Sequence, residues 1–282
     1  MTDFLVLDVF SETPYGGNQL AVIPDATNLA EAQLQKIARE FNYSETTFVF
    51  PPEDPAHTAK VRIFTPMMEV PFAGHPTIGT AVAMAGLGHG PDMVLELGVG
   101  PLVCYAENGT ARFTTRAGLD QMGQPDIALI ARALGLSADR ISTSVHAPVM
   151  ASLGLPFTFT ELTDRAALSA IVTDISAFRD GADQYPATLD FAQFAYVRDR
   201  NTIHARMFAP LDNIPEDPAT GSAAATLAAY LSQLEGHDLN LQLHQGDDMG
   251  RPSVIGVQTR NGAVTVSGSA VKVMEGRFIV EP

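Results

Sequence analysis

Cysteine is nearly absent: Cys104 is the single one in 282 residues, so no internal disulfide can form. Its setting, Leu102-Val103-Cys104-Tyr105, reads as buried strand. Positive charge is scarce as well. Seventeen basic against 32 acidic residues give a formal charge of -15, a field that repels nucleic acid and anionic membrane surfaces. No apolar run approaches the roughly 20 residues of a membrane span, and Met1-Thr2-Asp3-Phe4 lacks the basic flank of a signal peptide. The expectation is a cytoplasmic protein with no nucleic-acid and no membrane partner. The histidines show no His-Glu-x-x-His spacing, and Asp247-Asp248 lies in a Gly-rich loop where solvated charge is the default, so no metal is expected. Gly86-Leu87-Gly88-His89-Gly90 follows a helix instead of opening one and reads as a helix stop and turn.

What is present is enough apolar side chain, 46%, for one large domain or two small ones. Periodicity predicts strands over 4–9 and 20–23, then a helix over 29–41 that Asn28 can cap with Glu31 completing a capping box. Strands over 46–50 and 60–64, an apolar helix over 76–85 and three strands ending near 115 follow. From about residue 146 the same order returns: strands over 147–153 and 157–162, a helix over 164–171, strands over 191–197 and 202–208. An apolar helix over 220–234 and strands over 239–244, 253–258 and 263–266 complete the second copy. Arg62-Ile63-Phe64-Thr65-Pro66 corresponds to Arg206-Met207-Phe208-Ala209-Pro210 at an offset of 206 − 62 = 144, which also pairs Pro71 with Pro215. Duplication of a unit whose apolar helix is enclosed by strands predicts an α+β architecture with two pseudo-symmetric domains. The expected domains are 1–118 and 119–275, with a last segment, 276–282, whose strand over 276–280 is a candidate to cross back to the first. A helix over 126–134 bridges them.

Each apolar helix opens with small residues, Phe72-Ala73-Gly74-His75-Pro76-Thr77 and Asp217-Pro218-Ala219-Thr220-Gly221-Ser222. The N-terminus of a helix carries free N–H groups and the positive end of the macrodipole, an anion site made without lysine or arginine. Two such ends facing one another would hold a small carboxylate; simple capping by Thr220 or Ser222, or a proline in the first turn, is the other reading of each. Glu45 stands between the helix ending at Phe41 and the apolar run Thr47-Phe48-Val49-Phe50. Partial burial there would disfavour its charged form and suit a group that carries a proton both ways; alternatively it is a solvated glutamate at a strand start. His75 is a candidate substrate partner or a satisfied core histidine, and Asp217 a candidate polar partner or a routine cap.

At these residues the sequence resembles the PhzF family of phenazine biosynthesis, and through it diaminopimelate epimerase and proline racemase. The match spans nearly the whole chain. It rests on Gly16-Gly17-Asn18, Asn42-Tyr43-Ser44-Glu45-Thr46, Ala73-Gly74-His75-Pro76-Thr77, Glu216-Asp217-Pro218-Ala219-Thr220-Gly221-Ser222-Ala223 and Gln245-Gly246 followed by Met249-Gly250-Arg251-Pro252-Ser253. Gln19 departs from the family, which usually has proline after Gly-Asn. The resemblance implies a diaminopimelate epimerase-like fold, each half a central apolar helix inside a curved, barrel-like sheet. It implies an isomerase transferring a proton by acid/base chemistry, without a cofactor, on a small carboxylate-bearing molecule in the cleft between the halves. Glu45, His75 and Asp217 match its catalytic groups, and Gly74, His75, Thr220, Gly221 and Ser222 its substrate-binding groups. It also implies a homodimer. Relatives that use two opposed thiols are excluded by the lone Cys104. A protein of this fold that binds a ligand or a protein partner without turnover is the alternative.

Overall fold

Short apolar runs broken by turn residues make most of this chain strand, and the computed structural model describes residues 2–279. In chain order the elements are β1 (Asp3–Val9), β2 (Asn18–Ile23), α1 (Glu31–Phe41), β3 (Glu45–Phe50), β4 (Ala59–Phe64), β5 (Glu69–Val70), α2 (Gly74–Gly86), β6 (Asp92–Leu97), β7 (Gly100–Glu107) and β8 (Thr110–Thr115). Then come β9 (Asp120–Gly123), α3 (Ile127–Leu134), β10 (Val149–Ser152), β11 (Pro156–Glu161), α4 (Arg165–Ser169), α5 (Ile175–Gln184), β12 (Gln193–Asp199), β13 (Thr202–Ala209) and β14 (Ile214–Asp217). The chain continues with α6 (Gly221–Glu235), β15 (Asn240–Gln245), β16 (Ser253–Arg260) and β17 (Ala263–Arg277). They form two units: the residues up to Thr115 with those from Thr265 onward, and Arg116–Val264.

In the first unit the strands close on themselves in the order β1, β2, β3, β4, β6, β7, β8, β17 and back to β1, with β5 added to β4. Closure removes the open edges that would otherwise invite further pairing. Most neighbours are antiparallel; β2–β3 and β4–β6 are parallel, because α1 and α2 carry the chain over between them. Helix α2 is buried without a break from Gly74 to Ala81 and packs on β1, β2, β3, β7 and β8. It has no polar face to turn to water, so it fills the barrel. Outside, α1 lays Leu34 and Ala38 on Ile23, Phe48 and Phe64.

The second unit repeats this plan. β10–β11, the parallel pair β11–β12, β12–β13, the parallel pair β13–β15 and β15–β16 reproduce β1–β2, β2–β3, β3–β4, β4–β6 and β6–β7. Helix α6 packs on β10, β11 and β16. An outer layer of α3, α4 and α5 covers the other side of the sheet through Leu129, Ile130, Leu168 and Phe178.

The expected elements are present, with five corrections. The first helix is capped at Ala30, not Asn28: Gln33 Oε1 accepts from the Ala30 N–H at 2.7 Å, and Glu31 is already helical. The stretch at 120–123 is a strand, β9, paired with β10. Helix α5 was not anticipated; Asp174 caps it by accepting from the Ser176 and Ala177 amides. The strand over 263–266 and that over 276–280 are one strand, β17, ending at Arg277; Val280 lies outside the described residues. The return to the first unit therefore begins at Thr265.

The fifth correction concerns the repeat. The offset of 144 holds for the strands, where Phe64 and Phe208 match, but α2 and α6 begin at Gly74 and Gly221, an offset of 221 − 74 = 147. Three extra residues enter at the helical turn Pro210–Asp212. Pro71 is thus equivalent to Pro218, not Pro215. Two further details agree: Arg62 forks onto Glu69 and Arg206 onto Glu216, again 216 − 69 = 147, each through Nε and Nη2. A Cβ on Gly98 would lie 2.7 Å from Pro71 Cα, and one on Gly246 2.8 Å from the Pro218 carbonyl oxygen.

Candidate functional site

Glu45 is placed by a helix stop. Asn42 takes the left-handed conformation (φ 54°) that ends α1, and three residues later the chain enters β3 beside β2, with Glu45 opposite Leu20. Its side chain is 17% exposed. Oε2 lies 3.4 Å from Nδ1 of His75, which stands in the first turn of α2. The ring of His75 is 5% exposed and hydrogen-bonds the backbone of Gln19; burial pushes its pKa down to about 3. The imidazole is therefore neutral at pH 7, and its contact with Glu45 is a polar approach rather than an ion pair. His75 Nε2 is buried with no hydrogen-bond partner. A buried unpaired nitrogen costs about 1–3 kcal/mol and calls for a use. The departure at Gln19 does not touch this arrangement, since what it offers His75 is backbone. Asn18, 2% exposed, accepts a hydrogen bond from the Ser44 hydroxyl at 3.4 Å and so ties the end of the β1–β2 loop to the residue before Glu45. At the start of α2, Ala73 is the N-cap and supplies no side chain, so the helix end keeps its N–H groups for other acceptors.

In the second unit Asp217, 6% exposed, ends β14, and Thr220 is the N-cap of α6. The Thr220 hydroxyl does not cap the helix; it donates to Asp217 Oδ2 at 2.6 Å. Gln245, at the end of β15 and 1% exposed, accepts from the Thr220 N–H at 3.1 Å. Its Nε2 donates to the Asp217 carbonyl at 2.7 Å and to Thr220 Oγ1 at 2.9 Å. Ser253 donates to the carbonyls of Pro218 and Gln245 at 2.8 and 3.0 Å. Gly221 and Ser222 are the first helical residues.

The site residues named from the sequence thus form two sets, Glu45 with Gly74 and His75 in one unit, and Asp217 with Thr220, Gly221 and Ser222 in the other. Gln245, Ser253 and Asn18 are not among the site residues expected from the sequence, although each lies in a motif that carries the family resemblance. The sets are not copies. In the strand register Thr46 pairs with Phe64 and Gln193 with Phe208, so the counterpart of Glu45 is Ala192, and the counterpart of His75 is Ser222. One unit carries the carboxyl and imidazole; the other has an alanine and a serine in their places. The cavity of about 660 Å³ in the first unit lies at the far, C-terminal end of α2 against Leu5, Leu7, Val82, Leu87 and Lys272, and contains none of these residues. Among the described residues no group of three or more histidine, cysteine, aspartate or glutamate side chains is arranged to hold a metal, and no helix is long and apolar enough to cross a membrane.

Comparison with known proteins extends this geometry. Residues 7–276 match a family model described as phenazine biosynthesis-like protein, PhzC-PhzF. A trans-2,3-dihydro-3-hydroxyanthranilate isomerase of Pseudomonas chlororaphis is 33% identical, covering 99% of this chain and all of that one (100%). An uncharacterized isomerase of Mesorhizobium japonicum is 34% identical over 99% of both chains. Among solved structures, a predicted epimerase from Pseudomonas aeruginosa superimposes with a TM-score of 0.81 at 31% identity, covering 99% of this chain and 100% of that one. A probable proline racemase from Agrobacterium radiobacter, at TM-score 0.60 and 12% identity over 100% of this chain and 94% of that one, shares the fold.

Proposed function

Because this chain belongs to the phenazine biosynthesis-like PhzC-PhzF family and is an isomerase, we propose that it moves a proton within a small carboxylate-bearing substrate, with Glu45 as the acid/base. The observation that carries the reading is the pairing of Glu45 with a buried, neutral His75 whose Nε2 has no partner in the protein. An imidazolium 3.4 Å away would stabilise the carboxylate and weaken it as a base; burial keeps that charge off the ring. Glu45 removes a proton from the activated carbon and returns it elsewhere on the conjugated system, while Nε2 of His75 hydrogen-bonds the substrate. Alanine at the counterpart of Glu45 fits a scheme in which one residue both takes and returns the proton. The N–H of Gly74 receives the substrate carboxylate at the positive end of α2, and Asp217, Thr220, Gly221 and Ser222 are proposed as further groups that contact substrate. The reading calls on no metal or organic cofactor.

The relatives' printed activity makes trans-2,3-dihydro-3-hydroxyanthranilate the first compound to try. Incubation in heavy water with it and with a panel of small cyclic and amino carboxylates, followed by mass spectrometry, should show deuterium entering at least one of them. Glu45→Gln should lower that exchange by about 100- to 10,000-fold, the usual contribution of a general acid/base, while the compound still binds. Exchange undiminished in Glu45→Gln sinks the proposal.

A further inference from the structure

We infer that Gln245 is a positioning residue for the proposed reaction, acting on substrate through Asp217 and Thr220; the inference rests on the reading of Asp217 given above. A side-chain amide that is 1% exposed must find partners for its donors and acceptor, or it destabilises the fold. All three partners of Gln245 belong to one short segment: the Asp217 carbonyl, the Thr220 hydroxyl and the Thr220 N–H. Thr220 in turn spends its hydroxyl hydrogen on Asp217 Oδ2. The chain of contacts fixes the direction of that proton. Gln245 Nε2 can only donate, so Thr220 Oγ1 accepts from it and turns its own O–H to the carboxylate. The amide thereby sets both the backbone path of 217–220 and the orientation of the Asp217 carboxylate.

The duplicated unit supplies the control. Ala59 pairs with Leu95, and Ile203, its counterpart at an offset of 144, pairs with Leu243; from this register Gln245 corresponds to Leu97, since 245 − 97 = 243 − 95 = 148. At the helix offset of 147, Asp217 corresponds to Val70 and Thr220 to Ala73. The same turn onto the same kind of buried helix is thus built in the first unit with Val70, Ala73 and a 7% exposed Leu97, with no polar atom among the three side chains. Packing and chain reversal do not need Asp217, Thr220 or Gln245. The three polar residues stand together in one unit and are replaced together in the other, as a set that exists to present the carboxylate.

The test compares Gln245→Glu, Gln245→Leu, Asp217→Asn and the double variant Asp217→Asn/Gln245→Glu with the unaltered protein in the heavy-water exchange assay on trans-2,3-dihydro-3-hydroxyanthranilate and the carboxylate panel. Gln245→Glu keeps the acceptor for the Thr220 N–H but sets a carboxylate oxygen against the Asp217 carbonyl and Thr220 Oγ1. It should lower kcat/KM on the order of 100-fold at neutral pH, the scale of a roughly 1 Å misplacement. The loss should shrink as pH falls, because a protonated carboxyl restores the missing donor. Gln245→Leu, which copies the other unit, should keep the fold by circular dichroism and show the loss at every pH. In the double variant the two losses should not multiply. Gln245→Glu with unchanged kcat/KM, a loss in both variants that ignores pH, or multiplicative losses in the double variant would each overturn the positioning role while leaving Glu45 as the acid/base. Absence of any Glu45-dependent exchange by the unaltered protein would overturn the functional reading and this inference with it.

Discussion

Burying His75 as a neutral ring ties the stability of the first unit to pH in a way that can be calculated. The unfolded chain binds a proton at the imidazole with a pKa near 6.5, the folded protein only near 3. A folded-state pKa that is lowered in a base means the unfolded state holds more protons throughout the interval between the two values, so stability is full above about 6.5 and is lost as pH falls toward 3. At pH 5 the unfolded state gains RT ln(1 + 10^1.5), and from about pH 7 to pH 5 the net loss is about 2 kcal/mol. His75→Gln has no such group. Urea denaturation followed by circular dichroism at about pH 7, 6 and 5 should therefore show stability falling more steeply with acid in the unaltered protein than in His75→Gln, the two curves converging by about 2 kcal/mol. Whatever fixed difference the substitution makes is an offset; the slope is the reading. Other groups that resist protonation in the fold, such as His146, whose pKa burial also lowers, are present in both proteins and cancel. Parallel curves would refute the account of His75 as a buried neutral imidazole.

Two further outcomes follow from the packing. Cys104, 2% exposed and with its pKa pushed up to about 12 by burial, should not react with a thiol reagent such as dithionitrobenzoate until denaturant is added; rapid labelling of the native protein would contradict its place inside the barrel. Gly268→Ala would set a Cβ 2.2 Å from the Phe10 ring and should destabilise the protein by about 1–3 kcal/mol in urea, whereas an unchanged midpoint would show that Phe10 has room to move.

Glycines of close approach also explain where the sequence was hard to read. Ser267-Gly268-Ser269 looks like a break, and the apolar pattern stops before it at Val266; Gly268 is there because Phe10 occupies the space of its missing side chain, and β17 continues through it. Gly181 likewise interrupts the pattern of α5 because the Phe191 ring lies against it. The elements of the repeat and the position of Glu45 were legible, since both come from local signals: alternation within strands, and a helix ending at Phe41 a few residues before the apolar run that begins at Thr47. The role of Gln245 was not. Glutamine at the end of a strand looks like an ordinary polar terminus, and its partners at 217–220 lie 25 to 28 residues away along the chain. The shift from 144 to 147 was hidden for a related reason, that Pro215 lies at the expected spacing and the extra turn at Pro210–Asp212 has no signal stronger than its proline.

The closing of the first barrel by β17 bears on how the protein is made. Everything else in that barrel is encoded before residue 116, yet β1 and β8 acquire their common neighbour only when Thr265–Arg277 has been synthesised. On the ribosome the first unit therefore waits, with two unpaired strand edges, until the whole second unit has been translated. A premature stop at residue 265 would leave the second unit, Arg116–Val264, in place and undo the half that was finished first.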